Sequence, residues 1–182
     1  MANGRNIVIE LLPESAPNTV NSFIYTASRG YLDHHAIERI VPGNWVDVSY
    51  TAFGKRECRY LIPNEFELNP DVVPLDSHPG AVCMGGYGEA GLAGCEFFFP
   101  LRDCPDHKGI YPVFGRVLEG MDELYRLEKV ETVPVTDFPI EGVEVNRPVK
   151  PEIIERVELE LHGEIYPEPV RVREPELPEC WK

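Results

Sequence analysis

The sequence predicts a mainly β fold, a closed antiparallel β-barrel capped by two α-helices. Three observations lead there. Apolar, β-branched or aromatic runs of about five residues recur along most of the chain. Gly, Pro, Asn and Asp fall between those runs as turn signals. Only two stretches carry apolar residues at three- and four-residue spacing, too few to supply the crossover helices of a parallel sheet.

The first strand is NIVIELL at 6–12, and Pro13, Glu14 and Ser15 then supply turn and cap residues. A helix follows, with Pro17 in its first turn and Val20, Phe23, Ile24 and Ala27 on one face, ending near Gly30. Residues 36–41 and 45–50 read as two strands around the turn Pro42-Gly43, and 59–63 as a shorter strand before a Pro- and Asp-rich loop. Further strands are expected at 81–84, 95–99 and 113–117. Met121, Leu124, Tyr125 and Leu127 mark the second helix, and 153–161 a closing strand.

At 182 residues the chain is long enough for one domain with a full core. That domain is read as 1–165, and the Pro- and Glu-rich segment 166–182 as an extended tail that packs along the barrel or moves freely. A net charge of −14 disfavours nucleic acid and anionic membranes, whose phosphates it would repel. The start, MANGRNIVIELLPE, lacks a basic region followed by a long apolar stretch, and no run approaches a membrane span. A cytoplasmic monomer is expected.

Five cysteines without a CxxC pair suggest reduced, structural thiols, and the five histidines have no metal-ligand spacing. Neither a metal nor a cofactor is expected. The glycines of GGYGEAGLAG are followed by no Lys-Ser or Lys-Thr, so they read as a loop and not as a phosphate cradle.

Several stretches, in order over roughly 5–165, are similar to the cyclophilins, the peptidyl-prolyl cis-trans isomerases. Pro17, Thr19 and Phe23 match a Pro-x-Thr-x-x-x-Phe pattern, and AIERIVPG resembles Phe-His-Arg-Val-Ile-Pro-Gly, with Arg39 at the arginine. LIPNEF, HPGAVCMGG, CEFFFPL and VFGRVLEGMD resemble further family segments. The departures gather in what would be the substrate groove. Asn44, Trp45, Val46 and Asp47 stand where the family has Phe-Met-x-Gln, Cys95 and Glu96 replace Ser-Gln, and Glu38 replaces the histidine before the arginine. Asp106, His107 and Tyr111 lie in the loop that usually carries a bulky apolar or tryptophan side chain and then a histidine.

The resemblance implies isomerase activity on Xaa-Pro bonds in peptides or unfolded proteins. Arg39 would be the catalytic guanidinium, Phe98 the floor of the proline cup and Met84 part of its lining. Asn44, Trp45, Asp47, Glu96, His107 and Tyr111 would face the peptide. Asp47 argues for reduced activity, because an ionised carboxylate only accepts hydrogen bonds whereas an amide also donates. If Asp47 reaches Arg39, their attraction holds the arginine on protein instead of substrate. With Glu96, it would also favour Lys or Arg beside the proline, in a salt-dependent way.

Each residue has a plainer reading. Arg39 alone is more often a structural arginine bridging strands. Phe98 alone would be core, although alternation sends it to the opposite face from Phe97 and Phe99. Trp45 fits a peptide contact or the core equally well. Two rivals to an isomerase remain, a non-catalytic module gripping proline peptides on the same scaffold and an assembly role for the acidic surface and tail.

Overall fold

A computed structural model of the chain describes residues 1–48 and 54–182. β1 (Val8–Leu11) leads into α1 (Pro17–Ser28), whose Val20, Phe23, Ile24 and Ala27 are buried as their spacing requires. β2 (His35–Ala36) and β3 (Arg39–Val41) divide the single strand predicted over 36–41. β4 (Trp45–Val48) follows a turn in which Gly43 takes φ +73°, a conformation glycine adopts without a Cβ penalty. The rest of the strand predicted to reach Tyr50 lies outside the described residues.

β5 (Leu61–Ile62) is shorter than the run at 59–63, and a single helical turn, α2 (Glu65–Leu68), occupies part of the predicted loop. Then come β6 (Ala81–Gly86), β7 (Leu92–Pro100), β8 (Val113–Glu119) and α3 (Met121–Leu127). The hairpin of β9 (Thr132–Pro134) and β10 (Asn146–Pro148), absent from the sequence reading, precedes β11 (Ile153–Ile154).

The turn α2 has a use that its sequence does not announce. Position Ala16 caps α1 without a side chain able to hydrogen-bond, and Ser15, the expected cap, does not serve. Buried Glu65 accepts instead from the backbone of Asn18 at 3.2 Å and Thr19 at 2.7 Å, and from the Thr19 hydroxyl at 2.6 Å. A carboxylate there satisfies two orphan helix donors and meets the positive end of the helix dipole.

The main sheet runs β1-β8-β6-β7-β4-β3, with β5 also on β7. It is not a closed barrel: β1 and β3 are its outer strands, and no ladder joins them among the described residues. The strand expected at 153–161 ends early for a local reason. Only Ile153 and Ile154 pair with β2, and the Val157 N–H then donates to the Asp33 side chain at 3.0 Å, so a carboxylate takes the place of the next ladder bond.

β7 is buried along its whole length and divides two apolar clusters. Phe97 and Phe99 enter the main core, where the Phe97 ring lies 5.4 Å from Phe23 and 6.2 Å from Phe114. Phe98 points to the other face, against Ala81, Cys83 and Val113. Segment 166–182 is anchored on the domain: Asn18 and Val170 exchange two hydrogen bonds, Val172 N–H donates to the Leu61 carbonyl at 2.8 Å, and Trp181 is 2% exposed. The five cysteines are free thiols, four of them buried.

Candidate active site

Strand register assembles the site. Arg39 on β3 stands opposite Asp47 on β4, and Asp47 stands opposite Phe98 on β7. Directly opposed residues share a face with Cβ atoms about 4.5–5.5 Å apart, so three strands present Arg39, Asp47 and Phe98 in a row. Trp45, two residues before Asp47, falls on the same face. From the loop ahead of β8 come His107 and Tyr111, which close an aromatic cluster around Phe98.

In that cluster the Phe98 ring lies 6.2 Å from Trp45, 5.5 Å from His107 and 5.7 Å from Tyr111, tilted or edge-to-face as ring quadrupoles prefer. Arg39, Asn44, Trp45, Asp47, Glu96, Phe98, His107 and Tyr111 all line one hollow of about 520 Å³. Burial and the Arg102 guanidinium push His107 below its ordinary value, which favours a neutral ring. Burial, followed by the nearby Glu96, pushes the Tyr111 phenol up.

Among the described residues, two acceptors hold Arg39. Its Nη1 donates to Asp47 Oδ2 at 2.7 Å, and its Nε donates to the Glu144 carbonyl at 2.7 Å. The side chains of Arg39 and Asp47 are only 13% and 3% exposed. At an effective dielectric of 20, charges about 4 Å apart attract by roughly 4 kcal/mol, more than the roughly 1.5–3 kcal/mol of a hydrogen bond to a charged group. Glu144 belongs to the loop between β9 and β10, whose Ile140, Gly142 and Val143 also border the hollow.

The family model for cyclophilin-type peptidyl-prolyl cis-trans isomerase/CLD matches residues 1–167. The chain belongs to the cyclophilin family. A relative from Gibberella zeae, peptidyl-prolyl cis-trans isomerase-like 1, is 30% identical over 84% of this chain and 91% of its own. The mouse peptidylprolyl isomerase domain and WD repeat-containing protein 1 is 29% identical over 77% of this chain, which spans only 22% of that protein. Among solved structures, a Cryptosporidium parvum cyclophilin has a TM-score of 0.62 at 22% identity, covering 82% of this chain and 88% of its own. The same protein studied in the presence of the dipeptide Ala-Pro gives 0.61 at 21% identity, over 82% of this chain and 89% of its own.

Against this cyclophilin frame, Met84 is a correction. It is fully buried in the main core, and Cys83 is the residue beneath Phe98. The ladder pairs Cys83 with Phe98 and Met84 with Phe97, so alternation turns the methionine away from the cup. Trp45, for which the sequence left two readings, is half-buried and belongs to both the aromatic cluster and the wall of the hollow.

Glu96 differs most from what its residue type suggests. It is 7% exposed, and burial, followed by the Asp47 charge, pushes its carboxyl up to about 8. Tyr87 hydroxyl donates to Glu96 Oε2 at 2.8 Å, and Trp181 Nε1 donates to the Tyr87 oxygen at 3.0 Å. Gly85 is required beside it, because a Cβ there would lie 2.9 Å from Glu96 Cγ.

Sequence reasoning missed Tyr87 and the 140–144 wall. Tyr87 sat in a glycine-rich loop that gave no sign of a partner 94 positions later. The wall comes from a segment, TDFPIEGVE, with neither strand alternation nor helical spacing.

Proposed function

We propose that this cyclophilin acts as a peptidyl-prolyl cis-trans isomerase on Xaa-Pro bonds of peptides or unfolded chains. One observation carries the reading: a guanidinium and a ring of aromatic side chains, drawn from distant parts of the sequence, border the same hollow. Xaa-Pro rotation breaks no bond but must lose amide resonance, with a barrier of roughly 18–20 kcal/mol. A catalyst lowers it only by binding the twisted amide better than either planar form.

In this reading Phe98, flanked by Trp45, His107 and Tyr111, holds the pyrrolidine ring out of water and fixes the rotation axis. Arg39 donates to the prolyl nitrogen, whose lone pair is released as conjugation is lost. Asp47 and the Glu144 carbonyl orient the guanidinium, and they also compete with substrate for its N–H groups. That competition favours a second reading, a groove that binds proline segments with little or no rate enhancement.

A protease-coupled assay over a panel of Xaa-Pro peptides separates the two. Wild type should accelerate exchange above buffer, and Arg39→Ala should lose roughly 10²-fold of that activity, the scale of removing one preorganised donor. Arg39→Lys, which keeps the charge beside Asp47, guards against loss of fold and should also be impaired, since a single ammonium cannot reproduce the guanidinium fork. Equal rates for wild type, both variants and buffer would leave only binding.

A further inference from the structure

The groove contains a chain of hydrogen bonds whose direction is fixed from one end. Trp181 is buried at the end of the tail, and its indole can only donate. Tyr87 oxygen therefore accepts on that side, and its single proton goes to Glu96 Oε2 at 2.8 Å. Cys180 Sγ lies 3.4 Å from the same oxygen, where either atom can donate; sulfur is the weaker and more distant acceptor, so the Tyr87 proton stays with Glu96.

Since Oε2 already accepts the Tyr87 proton, a proton on the Glu96 carboxyl belongs on Oε1. Oε1 receives no protein hydrogen bond among the described residues, and Glu96 lines the peptide hollow between Gly85 and Tyr111. An O–H on that oxygen has the acceptors of the groove beside it, and Asp47, the neighbouring carboxylate, already accepts from Arg39.

We infer that neutral Glu96 donates a hydrogen bond through Oε1 to a backbone carbonyl of the bound peptide, with Tyr87 and Trp181 as positioning residues that decide which oxygen carries the proton. The inference rests on the groove being the peptide site. It supplies the donor that Asp47, bound to Arg39 as an acceptor, lacks. The tail thereby becomes part of the site, although it never touches substrate.

The groups facing Glu96 are Asp47 on β4, Arg39 on β3, Tyr87 after β6, Cys95 beside it on β7, Tyr111 before β8 and Cys180 on the tail. Burial raises Tyr87, Cys95, Tyr111 and Cys180, while His107 is displaced downward. These shifts move the thiols, the phenols and His107 away from the window between pH 6.5 and 9.5, while Glu96 is pushed up to about 8, inside it.

The test uses the full chain and a blocked Ala-Ala-Pro-Phe tetrapeptide, with Kd followed by NMR and the Glu96 carboxyl carbon followed directly. Wild-type Kd should rise about 10-fold from pH 6.5 to 9.5, the upper end of a lost hydrogen bond, as Glu96 ionises. Glu96→Gln, whose amide keeps a donor at all pH values, should bind with a flat profile. Trp181→Phe should weaken binding at pH 6.5 by about 3-fold in wild type but not in the Glu96→Gln background, a non-additivity that general loosening of the tail would not produce. Tyr87→Phe, which removes the partner of Oε2, should move the carboxyl titration upward.

Superimposable Kd profiles for wild type and Glu96→Gln, or a Glu96 carboxyl that titrates in the ordinary carboxylate range, overturn this role and leave the isomerase reading standing. No binding by wild type at pH 6.5 overturns both.

Discussion

The two faces of β7 are built by different rules. On one, Phe97 and Phe99 meet Phe23 and Phe114 in a sealed core where only shape and apolar area count. On the other, Phe98 floors an open hollow shared with Arg39, Asp47 and Glu96. Adjacent residues of one type thus answer to packing in one case and to packing plus electrostatics in the other. The core face tolerates only loss of stability, whereas the groove face can lose function while the fold survives.

The largest test of that contrast is Phe97→Ala against Phe98→Ala. Phe97 leaves an enclosed cavity, so its removal should cost about 3–5 kcal/mol in urea unfolding. Phe98 opens onto the hollow, so its removal forfeits the transfer term alone, about 1.5–3 kcal/mol. Proline-peptide binding should follow the opposite order and disappear with Phe98→Ala. Equal stability losses would show that the hollow is sealed in solution and that the two faces do not differ.

Core-face residues were legible in the sequence because alternation and helical spacing are properties of neighbouring positions. Val20, Phe23, Phe97, Phe99 and Phe114 follow from them, and register then carries Arg39, Asp47 and Phe98 together. What the sequence hid was long-range or shifted by one residue. Met84 pairs with Phe97 and Cys83 with Phe98, so a one-residue difference in register turns the methionine inward. Glu65 serves a helix some 46 positions away. The pattern at 153–161 has strand alternation over its whole length, yet Asp33 competes for its backbone and the strand stops early.

The second test concerns the buried charge on the groove face. Glu96 is held up at about 8 against an ordinary 4.5, chiefly by burial. Between those values the unfolded chain releases the proton while the folded chain keeps it, so the unfolded state binds fewer protons and stability falls as pH rises. Below about 4.5 both states are protonated and the contribution is fully present; above about 8 it is gone. Glu96→Gln should flatten the decline by roughly 3–5 kcal/mol across that window in urea titrations. Parallel wild-type and variant curves would mean that water reaches Glu96 and that the groove face is wetter than its lining suggests.

A smaller effect is expected on the core side. Glu65→Gln places an amide among the α1 donors and should cost about 1–2 kcal/mol without moving the Glu96 titration. A shift of that titration would show that the two faces communicate through α1.

The smallest effect revises the expected taste for basic peptides. Two carboxylates in the groove suggest a salt-sensitive preference for Lys or Arg beside the proline, but their charges are not both available. Asp47 is tied to Arg39, and Glu96 keeps its proton at neutral pH. What remains is Glu144 at the rim, whose carboxylate accepts from Asn146 at 2.6 Å in an exposed setting. An exposed pair of that kind contributes about 0.2–1 kcal/mol and is screened by salt. Replacing Ala with Lys next to proline should therefore gain less than about 1 kcal/mol at pH 6.5 in 0.15 M salt. The gain should grow at pH 9.5, where Glu96 is ionised, and should not grow in Glu96→Gln. A large Lys preference already present at pH 6.5 would mean that Asp47 is released from Arg39 when peptide binds, and the two faces of β7 would then differ in mobility as well as in charge.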